Sequence, residues 1–179
     1  MLGRAIPLLL GGMIACNLPS AALSFSGTCR SPSAFTHFEH ILPRTAGRVT
    51  KAQPIKVVAV GSSSTAGAGA SSAAATYPSR LSIYLQGRFP TNSITVLNRG
   101  VNGDEAINMV LRFEREVIDE HPDLVLWQVG TNIALRDHPL ESQSALLSGG
   151  LSRLKAAEAD VILINPQFAP KVLEKPRHQ

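Results

Sequence analysis

The chain contains little cysteine, few aromatic residues and little net charge. Only Cys16 and Cys29 occur among its 179 residues, which excludes a disulfide framework. Aromatic residues make up 5% of the sequence, charged residues 17%, and the formal net charge is +4. Lysine and arginine are scattered and do not alternate with aromatic residues, so we expect no nucleic-acid partner. The hydrophobic share of 44% is enough for one globular domain with a core.

The N-terminal segment has the three parts of an export signal. Arg4 precedes an apolar stretch from Ala5 to Ala15, and small residues follow at Ser20-Ala21-Ala22. The stretch has the length of a signal peptide and is short for a membrane span. We therefore predict a signal peptide over residues 1–22 and export to the periplasm or the medium, with no stable membrane span after cleavage. The alternatives are an uncleaved anchor and lipidation of Cys16.

Residues 23–54 have mixed composition and no sustained hydrophobic period. We predict a flexible leader with a short helix around Phe35 to Leu42. His37 and His40 lie here without cysteine or carboxylate partners at ligand spacing, and we interpret them as solvated side chains. No metal site is predicted.

From residue 55 onward, apolar runs alternate with segments of helical period. Strands are predicted at 56–60, 94–97, 124–129 and 161–164, and helices at 77–88, 104–120 and 139–159, with a loop at 65–76. Asp104 is interpreted as the cap of the second helix. The alternation predicts an α/β domain of flavodoxin-like, three-layer α/β/α architecture with a parallel sheet.

Glycine and small polar residues follow three of the predicted strands, as Gly61-Ser62-Ser63-Ser64-Thr65, Asn98-Arg99-Gly100-Val101-Asn102-Gly103-Asp104 and Gly130-Thr131-Asn132. The carboxyl ends of parallel strands are where open α/β sheets bind ligands. A serine at such a turn, with free amides beside it, can act as a nucleophile with an oxyanion hole. A phosphate cradle for a nucleotide is the alternative. The turn lacks the P-loop lysine, however, and Ser72 stands where a dinucleotide fingerprint needs Gly or Ala.

These segments resemble the three ordered blocks of the SGNH hydrolases, also called the GDSL esterase/lipase superfamily. The first block, Gly-Asp-Ser-x-Thr/Ser, is similar to residues 61–65, where Ser63 matches the nucleophile and Ser62 replaces Asp. The second, Asn-x-Gly-x-x-Gly-Asp, is similar to residues 98–104, and its oxyanion glycine matches Gly103. The third, Gly-x-Asn-Asp, is similar to residues 130–133, with Asn132 at the oxyanion asparagine and Ile133 in place of Asp. The resemblance implies Ser63 as nucleophile, an oxyanion hole of Ser63, Gly103 and Asn132, and no cofactor.

The fourth block of that family, Asp-x-x-His, has no counterpart in the sequence. His138, beside Asp137 in the loop after the third block, is the best substitute, although an ordinary loop histidine is the favoured interpretation. His121 is interpreted as a turn residue, and His178 follows the fourth strand too soon. We therefore expect the SGNH domain, residues 55–179, to be incomplete at its C-terminus, with the catalytic base beyond it.

The functional expectation is an exported serine esterase that hydrolyses or transfers acyl esters, with acetyl groups on carbohydrate as the envisaged substrate. The expected partners are small-molecule or carbohydrate esters. The first alternative is an SGNH-like binding domain, or a fragment without activity, that lacks the catalytic histidine. The second is a nucleotide-binding flavodoxin-like domain.

Overall fold

Apolar segments pair as a parallel sheet in the computed structural model, which describes residues 40–166 and 170–175. The strands are β1 (Ile55–Gly61), β2 (Ile94–Gly100), β3 (Leu124–Gln128) and β4 (Asp160–Ile164). Their order across the sheet of the described residues is β2-β1-β3-β4. The central strands β1 and β3 are almost entirely buried, as expected for a parallel sheet covered on both faces. The predicted α/β fold with a parallel sheet is therefore confirmed.

Helices connect and flank the strands. They are α1 (Pro43–Thr50), α2 (Ser63–Ala66), α3 (Tyr77–Arg88), α4 (Ala106–Leu111), α5 (Thr131–Leu135), α6 (Gln143–Ala156) and α7 (Pro170–Leu173), with a 3₁₀ turn at Ala73–Ala75 and a π-helical turn at Glu114–Ile118. The bounds of α3 match the prediction. The helix predicted over 104–120 is instead divided into α4 and the π-helical turn. α2 and the 3₁₀ turn lie in the segment predicted to be a loop.

The sheet separates two apolar clusters, one on each face. Val58, Val60, Val125 and Trp127 point to the side of α4 and α6, where the Trp127 ring meets Phe113 edge-on at 4.9 Å. The alternate residues of the same strands point to the side of α1 and α3. Because successive side chains of a strand face opposite ways, one apolar run supplies both clusters. The three-layer arrangement follows.

The end of the predicted leader forms helix α1 and packs on the sheet. The Nε atoms of Arg44 and Arg48 lie 2.8 and 3.0 Å from Asp123 Oδ1. Asp160, the first residue of β4, accepts hydrogen bonds from the Thr45 N–H and hydroxyl, both at 2.7 Å. Val49 packs on the apolar face. The expectation of a flexible segment is therefore wrong for residues 43–50, because these polar groups have distant partners that the local sequence does not reveal.

Other predictions for the N-terminal region lie outside the described residues. These are the signal peptide, the leader up to residue 39, and the residues Cys16, Cys29 and His37. In the part of the chain that the structure does describe, no helix is long and apolar enough to cross a membrane.

Candidate active site

The turn that carries Ser63 follows β1 directly. Ser62 is the N-cap of α2 and is buried, and Ser63 is the first residue of that helix and is half-buried. The N–H and the hydroxyl of Ser62 both donate to Gln128 Oε1, at 3.3 Å each, and Gln128 Nε2 donates to Thr131 Oγ1 at 3.1 Å. The serine that replaces the family's Asp thus connects the first block to the third through a buried glutamine.

Two glycines let α2 lie against the strand ends. Gly61 pairs with Gly100 at the carboxyl ends of β1 and β2. A Cβ on Gly100 would lie 2.6 Å from Ala66 Cα, and one on Gly61 would overlap the Thr65 side chain. No side chain fits in either space, so glycine is required at both positions. This close contact fixes the height of Ser63 above the sheet.

The second block forms the loop between β2 and α4. Gly103 has φ +82°, a left-handed conformation that glycine adopts without strain. Asp104 does not cap the helix as predicted, because its carboxylate pairs with Arg112 Nε at 3.0 Å. The N-cap of α4 is Glu105, which forms a capping box with Asn108.

Arg112 connects the second block to the first. Its guanidinium is largely buried and donates to the Arg99 carbonyl at 2.8 Å and to the Gly61 carbonyl at 3.4 Å, besides binding Asp104. One planar group therefore satisfies acceptors at the ends of two strands and in the loop beside them. The sequence motifs gave no indication that Arg112 has a role in this region. A buried arginine needs several acceptors, and here they come from three separate segments.

The third block begins helix α5 immediately after β3. Gly130 has φ +100° and redirects the chain into the helix. Asn132 Nδ2 donates to the Asp104 carbonyl at 2.8 Å, so the second and third blocks are in direct contact. An amide NH₂ has two hydrogens, so a side chain of this kind can donate to two acceptors. The structure thus places Asn132 beside the loop that carries Gly103.

The histidines occupy different environments. His138 is exposed, and its Nδ1 lies 3.0 Å from Oε1 of Glu105, the residue that follows the second block. Burial alone would raise the pKa of Glu105, but hydrogen bonds from Arg136 and His138 outweigh it and hold that pKa below its ordinary value. His121 has φ +51° in the turn before β3, in accordance with its interpretation as a turn residue. His178 lies outside the described residues.

An apolar cavity of about 380 Å³ opens beside the third block, between the carboxyl ends of β3 and β4. Gly130, Ile133 and Ala134 line one side, and Leu147 of α6 and Leu163 of β4 line another. Within residues 40–166 and 170–175, no group of three or more His, Cys, Asp and Glu side chains could hold a metal ion.

The parallel sheet, with serine, glycine and asparagine blocks at the ends of β1, β2 and β3, agrees with three of the four blocks of the SGNH hydrolases. The model of the non-GDSL lipase-like family matches residues 28–177. The chain therefore belongs to the non-GDSL lipase-like family, and the predicted relation to the SGNH hydrolases is confirmed.

Individual relatives are esterases. An arylesterase of Vibrio mimicus is 33% identical over 78 residues, which are 43% of this chain and 38% of the relative. A two-domain esterase active on acetylated mannans superposes with a TM-score of 0.64 at 20% identity, over 71% of this chain and 34% of its own. Axe2, an acetylxylan esterase from Geobacillus stearothermophilus, gives 0.58 at 22% identity, over 69% and 68%. The two structural likenesses show the fold, and the chain spans little more than a third of the arylesterase and of the mannan esterase.

Proposed function

We propose that this protein is an exported esterase that hydrolyses or transfers acyl esters through an acyl-enzyme on Ser63. The observation that carries the proposal is that hydrogen bonds join the three blocks at the carboxyl ends of the strands. Gln128 connects the turn of Ser63 to α5, and Asn132 binds the loop of Gly103. A nucleophile and oxyanion donors have to converge in this way on one carbonyl group.

In the proposed reaction, the Ser63 hydroxyl oxygen attacks the ester carbonyl carbon and its proton passes to a base. The carbonyl oxygen becomes an oxyanion, which accepts hydrogen bonds from the Ser63 and Gly103 N–H groups and the Asn132 side-chain amide. The N–H of Ser63 is a suitable donor because the first N–H groups of a helix have no partner within it. As the bond between the carbonyl carbon and the alkoxide oxygen breaks, the base returns the proton to that oxygen, and the alcohol leaves an acyl-enzyme. Water or another hydroxyl compound then attacks the acyl carbon and displaces Ser63, which recovers its proton.

Acetylated carbohydrate is the proposed substrate class. The mannan and xylan esterases that share the fold act on such esters, and an acetyl group needs only a small acyl site. Export would bring the enzyme to polymers that lie outside the cytoplasm. Mass spectrometry of protein recovered from the periplasm or medium should show a mature chain beginning near Leu23, because the signal peptide is proposed to end at Ala22.

The experiment compares Ser63→Ala with Ser64→Ala, its neighbour in the same helix. Release of p-nitrophenol from p-nitrophenyl acetate and of acetate from acetylated manno- and xylo-oligosaccharides measures the activity. We expect Ser63→Ala to abolish turnover and Ser64→Ala to retain it, with both proteins folded by circular dichroism. Full activity of the folded Ser63→Ala protein would refute the proposal.

A second candidate function is the alternative predicted from the sequence, a binding domain that holds acyl esters without turnover. A serine hydroxyl is a weak nucleophile unless a base activates it, so a domain of this fold can bind an ester and leave it intact. Calorimetric binding of an acetylated oligosaccharide, without acetate release over hours, would favour it. His138→Ala in the same assays tests the base, since His138 has Glu105 as an orienting carboxylate.

A further inference from the structure

Glu105 is shared by two side chains that follow the third block. Its carboxylate is 2.6 Å from Arg136 Nη1 and 3.0 Å from His138 Nδ1, and its side chain is only 12% exposed. An ionised carboxylate only accepts hydrogen bonds, so both partners donate. Glu105 comes two residues after Gly103, and Arg136 comes one helical turn after Asn132. The contact therefore joins the two segments that supply proposed oxyanion donors.

The other end of the Arg136 guanidinium lies against Gly103. A Cβ built on Gly103 would be 3.3 Å from Arg136 Nη2. The guanidinium is planar and rigid, so an Nη1 held by Glu105 fixes where Nη2 lies. Beside this contact, Asn132 donates to the Asp104 carbonyl at 2.8 Å. Each residue from 103 to 105 thus contacts the segment that begins with α5.

We propose that Glu105 is a positioning residue of the oxyanion hole. It holds Arg136 against the Gly103 turn and so fixes the Gly103 N–H relative to the Asn132 amide. This inference rests on the proposed function, because it assigns a role to the donors of that site. Both donors have to lie about 2.7–3.1 Å from a single oxygen, and a displacement of about 1 Å costs as much as 100-fold in rate.

Glu105 also caps α4, and a comparison of two substitutions distinguishes the capping role from the positioning role. Aspartate is among the best N-cap residues, so Glu105→Asp keeps the cap. Its carboxylate is one methylene shorter and retreats from Arg136. Glu105→Gln has the opposite character, because it keeps the length and an acceptor oxygen for Arg136 but removes the charge. A capping role predicts more damage from Gln, and a positioning role predicts more damage from Asp.

Glu120 provides a matched control elsewhere in the domain. Its carboxylate is also shared by two cations, at 2.6 Å from Arg99 Nη2 and 3.3 Å from Lys56 Nζ. Lys56 lies near the amino end of β1, whereas the three blocks follow the carboxyl ends of the strands. Arg99 belongs to the second block, but neither Arg99 nor Lys56 is a proposed oxyanion donor. Glu120→Asp therefore shortens an equivalent bridging carboxylate whose two partners have no proposed role in catalysis.

The experiment measures kcat and KM for p-nitrophenyl acetate with the full chain and the three variants. We expect Glu105→Asp to lower kcat about tenfold, Glu105→Gln about threefold, and Glu120→Asp less than twofold, with KM changing less than twofold throughout. A second measurement follows amide hydrogen exchange by mass spectrometry. Exchange over residues 101–105 should accelerate about tenfold in Glu105→Asp and stay unchanged in Glu120→Asp.

Each outcome decides between roles. An unchanged kcat in Glu105→Asp, or an equal loss in Glu120→Asp, would refute the positioning role. Unchanged exchange in Glu105→Asp would refute the contact on which it depends. The exchange measurement needs no catalysis, so it separates this inference from the proposed function. If folded Ser63→Ala keeps full activity, the proposed function fails, whatever the exchange of residues 101–105 shows.

Discussion

Replacing Gly100 by alanine tests whether the contact between β2 and α2 controls both stability and activity. The added Cβ would lie 2.6 Å from Ala66 Cα and from the Thr65 carbonyl carbon, and closer still to the Ala66 nitrogen. All three are backbone atoms, which cannot rotate away as a side chain can. The strand end and the helix must therefore separate by about 1 Å to restore ordinary contact distances.

The expected magnitude follows from this displacement. Overpacking a well-filled interior costs about 1–3 kcal/mol, and we expect about 3 kcal/mol here because only the backbone can yield. For a domain of this size, that loss lowers Tm by roughly 10 °C. Ser63, the proposed nucleophile, moves with α2, and a shift of about 1 Å should lower kcat/KM about 100-fold in the protein that remains folded.

Urea denaturation followed by circular dichroism measures the first effect, and acetate release at a temperature where the variant is folded measures the second. Gly87→Ala is the control, since a Cβ on Gly87 in α3 meets nothing within 4 Å. It should raise the free energy of unfolding by about 0.5–1 kcal/mol and leave activity unchanged. Wild-type stability and activity in Gly100→Ala would show that α2 does not lie on β2 as described.

Two further predictions concern packing and charge. Gly149→Ala should stabilise α6 by about 0.5–1 kcal/mol, whereas Gly150→Ala should cost about 1–3 kcal/mol because its Cβ would lie 2.6 Å from Trp127 Cη2. If urea denaturation shows that both variants change the free energy of unfolding in the same direction, the packing of α6 on the sheet is contradicted. Asp123→Asn should lower stability at pH 7 by about 2 kcal/mol, since the carboxylate binds both arginines of α1. Burial would raise the pKa of Asp123, but the Lys56 backbone N–H and those arginines outweigh it and lower that pKa. The stabilisation should therefore be complete above the ordinary Asp pKa of about 3.9 and fade as the pH falls through the lower folded-state pKa, so a difference from wild type that is undiminished at pH 2 would contradict this assignment.

Local sequence was sufficient for the order of the four strands, for helix α3 and for the common location of the three blocks. The strands were predictable because buried parallel strands are continuous apolar runs, as in Val57–Val60. Helix α3 was predictable to the residue because Pro78 lies in its first turn and its apolar side chains follow a helical period. The three blocks could be placed at one edge because the carboxyl ends of parallel strands share an edge whatever the details of the loops.

Only the tertiary structure decided which polar groups hold that edge together. Ser62 and Gln128 are 66 positions apart, Glu105 and Arg136 are 31 apart, and Arg44 of α1 is 79 positions from Asp123. A pattern read along the chain reports only what recurs over a few residues. The partner of a buried hydroxyl, amide or charge is instead whichever group the folded backbone brings within about 3 Å. For this reason Ser62 was visible in the sequence only as a departure from a motif, whereas in the fold it connects the turn that carries Ser63 to the third block through Gln128.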